Sequence, residues 1–166
     1  DINVTPVMDF VTIDNITQHL QGMDFVVDAI DSVKVKAAMI AWCNRRKTPM
    51  ITTGAAGGQT DPTRITIGDL NKTYNDPLAR KVRSILRREY DFSRNEKRNY
   101  GISCVYSTEQ LKYPQPDGSV CQQKQFTDGT VKLDCSGGMG ASTMVTASFG
   151  LVVAAKVAEK LAKKPP

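Results

Sequence analysis

Two carboxylates stand out in the stretch VVDAIDS, residues 26–32: Asp28 and Asp31 follow an apolar run and immediately precede a segment with helical spacing. In an open parallel sheet, ligands sit beyond the carboxyl ends of the strands. The N-terminus of the following helix offers free N–H groups and the positive end of its dipole to the same place. An anion held there, with a carboxylate opposite, points to a phosphate bridged by Mg²⁺, because magnesium takes one or two carboxylates together with phosphate oxygens. The same two acids could instead do no more than cap the helix. A Gly-rich stretch, GAAGG at 54–58, follows the next apolar run. It matches neither GxxxxGK[ST] nor GxGxxG. It either lets a ligand approach the backbone closely or makes a tight exit from a strand.

The other reactive side chains exclude more than they assign. The cysteines are Cys43, Cys104, Cys121 and Cys135, with no CxxC pair, so a paired-cysteine zinc site is not expected. The lone histidine, His19, argues against a histidine-based triad. Cys135, in LDCSGG, precedes a long helical segment, where a thiol can be acidified and become nucleophilic. Cys121 lies in a polar loop and ranks second. Cys43 and Cys104 fall within a helix and a strand pattern and read as core. The chain carries a formal net charge of +5. Its basic residues concentrate on a stretch read as a basic helix over 80–98, with Arg80, Arg83, Arg87 and Arg88 foremost. Such a run is either a solvated helix face or a phosphate-backbone contact whose strength falls with salt.

The elements that must position these residues alternate between strand and helix. VTPVMDFV (4–11) is β-rich. IDNITQHL (13–20) is a short helix candidate with Asp14 or Asn15 as cap. DFVVDAI (24–30) reads as a strand buried on both faces. A helix over 32–46 follows, with Ser32 at its N-cap and Arg45, Arg46 and Lys47 at its C-terminus. PMITTG (49–54) is a second buried strand, and strand, helix, strand in that order makes a parallel βαβ unit. Beyond it come TRITIGDL (63–70), an edge strand expected to be antiparallel, an amphipathic helix over 76–91, and a strand over 102–107. A polar loop, expected to be mobile, spans 112–134. One long helix spans 136–164, its apolar part at 139–155 being interrupted by Ser and Thr and short of the ~20 residues a membrane span needs. The expected fold is α/β, with a mixed, mostly parallel sheet flanked by helices. The start of the chain lacks a basic n-region and an apolar h-region, so a reducing, cytoplasmic setting is expected.

Taken in order, VVDAIDS, KAAMIAWC, PMITTGAAGGQTDPTRI, DPLARKVR, GISCVYSTE, YPQPDGSVC and LDCSGGMGASTMVTASFG resemble the tRNA threonylcarbamoyladenosine dehydratase family. That family belongs to the ubiquitin-activating-like adenylyltransferase superfamily, and the likeness runs over nearly the whole chain. The resemblance implies a three-layer Rossmann-like fold and an enzyme that uses ATP and Mg²⁺ to activate the threonyl carboxylate of a modified adenosine in tRNA, closing a ring with net loss of water. It implies that Asp31 serves Mg·ATP, that Ala29 and Ile30 lie near the adenine, that Asp28 supports the turn, and that Ser32 completes the nucleotide-binding stretch. It also implies a homodimer and a link to a cysteine-desulfurase or sulfur-acceptor system, in which Cys135 would be the exchanging thiol. Two departures bear on the reading. The zinc-binding cysteine pairs of the sulfur-carrier enzymes are missing, which favours the dehydratase branch. Nothing in residues 1–27 has the form of the superfamily's first strand and glycine loop. Residues 1–166 are therefore expected to be one domain, the later part of an adenylyltransferase-like unit. An adenylyltransferase for a ubiquitin-like sulfur carrier, or a non-catalytic dimerising module, remains the alternative.

Overall fold

A computed structural model describes residues 2–114, 119–121 and 140–163. The chain opens with the short helix α1 (Ile16–Leu20), then β1 (Val26–Asp28), α2 (Val33–Arg46) and β2 (Met50–Thr53). A 3₁₀ turn, Pro62–Arg64, leads into β3 (Ile65–Asp69); a second, Leu70–Lys72, leads to α3 (Pro77–Glu89). Then come β4 (Ser103–Ser107), the two-residue strands β5 (Tyr113–Pro114) and β6 (Val120–Cys121), and α4 (Thr143–Ala162).

The main sheet runs β1-β2-β4-β3. β1, β2 and β4 are parallel, and β3 is antiparallel to β4, with Ile67 opposite Val105. Alternation along the strands divides the interior in two. On one face Met50 and Cys104 pack with Ala37, Ile40 and Cys43 of α2 and with Val82 and Leu86 of α3. On the other, Ile51 and Val105 pack with Val145, Phe149 and Val153 of α4. Helices thus cover both faces of a mostly parallel sheet, the three-layer α/β arrangement expected from the alternating elements. α3 is amphipathic in the expected way, burying Ala79, Val82, Ile85 and Leu86 and leaving Arg80, Lys81 and Arg88 exposed, while Arg83 and Arg87 are half-buried.

Several local expectations fail for physical reasons. Residues 4–11 form no strand and are mostly exposed, since no strand among the described residues pairs with their backbone. β1 has only three residues and is buried on one face only, with Val27 48% exposed at the sheet edge. The basic run 80–98 is not one helix. α3 ends at Glu89, and Asp91 takes a left-handed φ of 59° that a helix cannot continue through. α4 begins at Thr143, the described residues 140–142 before it being non-helical, and the earlier part of the helix expected from 136 lies outside the described residues. Of the loop predicted over 112–134, the described part includes a small antiparallel pair, Tyr113 opposite Cys121; its expected mobility and Cys135 fall outside the described residues.

Candidate active site

β1 and β2 end side by side, and a cleft of about 730 Å³ opens beyond them. Its floor is the β1–α2 turn, with Ala29, Ile30 and Asp31; one wall is the strap after β2, Thr53 to Gly57. Pro77, Leu78 and Lys81 of α3 and Thr146, Phe149 and Gly150 of α4 close the remaining sides. This is the crevice at the carboxyl ends of parallel strands where open α/β sheets bind ligands.

Asp28 and Asp31, three residues apart, face opposite ways. Asp28 is 1% exposed and points inward. Its Oδ2 meets the ammonium of Lys36 at 2.8 Å and accepts the Thr52 hydroxyl at 2.7 Å; Lys36 also donates to Thr52 Oγ1 at 2.9 Å. Its Oδ1 accepts the N–H of Ile30 at 3.2 Å, holding the turn in which Ala29, Ile30 and Asp31 sit. Every oxygen of Asp28 is therefore occupied by the protein, and Asp28 does not line the cleft. Asp31 does line it, is exposed, and has no hydrogen bond or ion pair among the described residues. Ser32 occupies the N-cap of α2 but makes no side-chain cap bond. The first-turn N–H groups of α2 consequently remain available beside a free carboxylate. That donor set fits a magnesium–phosphate group, because Mg²⁺ keeps several waters and needs only one or two protein carboxylates.

The opposite wall is held by a residue that the sequence reading passed over. Asp76 is buried at the N-cap of α3, where Oδ1 accepts the N–H of Ala79 at 2.8 Å and Oδ2 that of Ala55 at 2.9 Å. Burial pushes its carboxyl above the ordinary range despite the N–H donors. Gly54 must be glycine: a Cβ there would lie 1.8 Å from Asp76 Oδ2. The chain just beyond the strap is tied by Glu109, which accepts the N–H groups of Thr60 and Asp61 at 2.9 Å each. Burial raises the Glu109 carboxyl, but those N–H groups and Lys112 outweigh it and leave it below the usual value. The signals for these anchors were the D-P pair opening α3 and the acid in STE, both legible as caps and turns rather than as supports of a cleft.

A second hollow, of about 830 Å³, lies on the outer side of α3 and is lined by Arg80, Arg83, Arg87 and Arg88 with Lys72, Arg94 and Glu96. The arginines are not equivalent. Arg83 donates to the Thr73 hydroxyl, and burial and the neighbouring Arg87 hold its guanidinium below the usual value. Arg87 donates to Tyr100 Oη at 2.9 Å and Asn71 Oδ1 at 2.8 Å. Arg88 pairs with Glu89 at 2.6 Å, exposed to solvent. Arg80 is exposed and has no partner among the described residues.

Cys43 and Cys104 are buried free thiols, pushed up by burial to about 11 and about 12, which makes them inert core residues. Among the described residues no three His, Cys, Asp or Glu side chains converge as a metal-binding set, and no helix is long and apolar enough to cross a membrane.

Comparison with known proteins places this architecture. The chain is 50% identical over 165 residues to tRNA threonylcarbamoyladenosine dehydratase of Escherichia coli (strain K12), covering 99% of this chain and 62% of that protein. The crystal structure of the E. coli dehydratase TcdA in complex with AMP superposes with a TM-score of 0.76 at 46% identity, covering 93% of this chain and 55% of that one. The ATP complex of the same enzyme gives 0.75 at 44% identity, covering 96% and 58%. The chain thus spans about three fifths of the length of the E. coli dehydratase and of its Haemophilus influenzae counterpart. The ThiF family model matches residues 1–166, and the chain belongs to the ThiF family.

Proposed function

We propose that the protein carrying this chain uses ATP to close the side chain of threonylcarbamoyladenosine in tRNA into a ring. A threonyl carboxylate oxygen bonds to the α-phosphorus of ATP as the bond to the β-phosphate breaks and pyrophosphate leaves. The carbamoyl group of the same side chain then bonds to the acyl carbon. The bond to AMP breaks, AMP leaves with the carboxylate oxygen, and a proton goes to solvent. The net change in the nucleoside is loss of water.

The observation that carries this reading is the free Asp31 carboxylate beside the uncapped N-terminus of α2, inside the cleft at the strand ends. Relatives solved with ATP and AMP support it. Asp31 would hold Mg²⁺, which when bound neutralises the phosphates. The α2 N–H groups bind phosphate oxygen, and the apolar strap and turn exclude water around the purine. Asp28 acts through the turn: with Lys36 and Thr52 it sets where Ala29, Ile30 and Asp31 stand.

Arg80 and Arg88, with Lys72 and Arg94 beside them, form the tRNA backbone contact, while Arg83 and Arg87 hold the groove's shape. The two cores share one sheet, which supports a single domain. α4 exposes an apolar stripe, Met144, Ala147, Leu151, Ala154, Ala158 and Leu161, at coiled-coil spacing, which supports a homodimer. A desulfurase or sulfur-acceptor partner would have to use Cys121 or Cys135, since Cys43 and Cys104 are buried. The setting is the cytoplasm.

The test is incubation of the full-length protein carrying this chain with ATP, Mg²⁺ and threonylcarbamoyladenosine-containing tRNA, followed by mass spectrometry of the nucleosides. A product lighter by one water, formed only with ATP, is expected. Unchanged nucleoside, with adenylation of a sulfur-carrier C-terminus instead, would overturn the reading.

A further inference from the structure

Among the described residues, the cleft at the ends of β1 and β2 is lined by two charged side chains, Asp31 and Lys81. They come from different walls: Asp31 from the β1–α2 turn, Lys81 from the second turn of α3. Lys81 is exposed and has no hydrogen bond or ion pair among the described residues. That distinguishes it from its neighbours Arg83, Arg87 and Arg88, which are all engaged. Its base is rigid, because Asp76 fixes the start of α3 through Ala79 and ties it to the strap through Ala55. An unengaged ammonium on a fixed helix, facing a cleft whose other described lining residues, Asp31 apart, are apolar or neutral, is placed to meet an anion.

Which anion follows from the rest of the cleft. The phosphate-binding features, a free acid for a metal and an open helix N-terminus, lie together on the Asp31 side. Lys81 stands on the α3 wall. The residue before it, Arg80, opens instead onto the outer basic groove and onto a smaller hollow shared with Gln110 and Tyr113. Consecutive positions of α3 therefore look into two sites. Lys81 thus stands on the cleft side of the helix whose outer side carries the basic groove.

We propose that Lys81 binds the carboxylate of the threonyl group and so selects the substrate. The proposal rests on the dehydratase reading above. Carboxylate and triphosphate repel each other, and a compact cation with three donors offsets that repulsion as the carboxylate approaches phosphorus. A substrate whose carboxylate is masked forfeits the contact.

The test uses the full-length protein carrying this chain, with Mg²⁺ and a non-hydrolysable ATP analogue. Two probes are titrated by calorimetry at low salt: the free nucleoside threonylcarbamoyladenosine and its methyl ester. The parent should prefer the acid by about tenfold or more, the worth of one charge-assisted contact. Lys81→Gln should abolish that preference and leave the affinity for the ATP analogue within about twofold, and Lys81→Arg should restore part of the preference. A Lys81→Gln protein that still prefers the acid would overturn the proposal, as would equal losses of acid and nucleotide affinity. Parent protein that binds neither probe and cyclises no tRNA would bring down the dehydratase reading itself, an outcome distinct from failure of Lys81 alone.

Discussion

Replacing Gly54 by alanine puts a methyl group 1.8 Å from Asp76 Oδ2. Ordinary contact needs roughly 3.5 Å, so strap and carboxylate must separate by about 1.5–2 Å. The side chain of Asp76 cannot simply swing aside, because its two oxygens accept the N–H groups of Ala79 and Ala55 in a buried position. Separation therefore breaks the Ala55 bond. Leaving a buried donor and acceptor unmatched costs about 1–3 kcal/mol, and forcing extra volume into a packed site costs about 1–3 kcal/mol more. A loss of about 2–6 kcal/mol lowers the melting temperature of a domain this size by roughly 5–20 °C. The same strap lines the cleft, so nucleotide affinity should fall by at least about tenfold. Thermal denaturation followed by circular dichroism, with calorimetric titration of Mg·ATP, reads both effects. Gly54→Ala combined with Asp76→Ser should recover part of the stability, since the shorter side chain removes the collision. A Gly54→Ala protein that melts within a degree or two of the parent and binds Mg·ATP unchanged would refute the reasoning.

The buried Lys36–Asp28 pair predicts an asymmetry: Lys36→Met alone should cost about 3–5 kcal/mol in urea unfolding, whereas Lys36→Met with Asp28→Leu should cost clearly less. Glu109 lies below its usual value, so its contribution is complete above the ordinary glutamate pKa near 4.5 and is lost as pH falls from there through the folded value. Glu109→Gln should therefore flatten the acid limb of a stability–pH curve. The raised pKa of Asp76 has the opposite sign and weakens the fold as pH rises through its range. In the basic groove, Arg80→Ala should weaken tRNA binding and reduce its salt slope by about one while leaving the melting temperature unchanged, whereas Arg87→Ala should cost about 1–3 kcal/mol of stability by freeing Tyr100 and Asn71.

The layers and strand directions could be read from alternation of apolar runs, and α2, β2, β3, α3 and β4 lie within a few residues of where the pattern places them. What could not be read was which way a side chain faces when both directions make chemical sense. Asp28 and Asp31 are three residues apart at the same strand end. Only the arrival of Lys36 and Thr52 beneath the turn decides that Asp28 is interior and Asp31 exterior. Lys36 itself reads as a surface lysine in SVKVKAA, yet it is 2% exposed because its partner is underneath it. Arg83 and Arg87 likewise look like surface charge in a basic run until Thr73, Tyr100 and Asn71, distant along the chain, are folded against them. Gly54 and Asp76 form a pair through a contact that local pattern does not encode. Edge effects account for the rest: β1 is short and half exposed at the sheet edge, and residues 4–11 have strand composition but no partner strand among the described residues.

The division of labour between the two acids is tested most directly by calorimetric titration of Mg·ATP into the full-length protein carrying this chain, with Asp31→Ala measured beside it. Asp31 has no intramolecular partner among the described residues. Its removal should cost at least about tenfold in affinity and leave the melting temperature unchanged to within about a degree. Undiminished binding by Asp31→Ala would contradict the account and move the metal-side acid elsewhere.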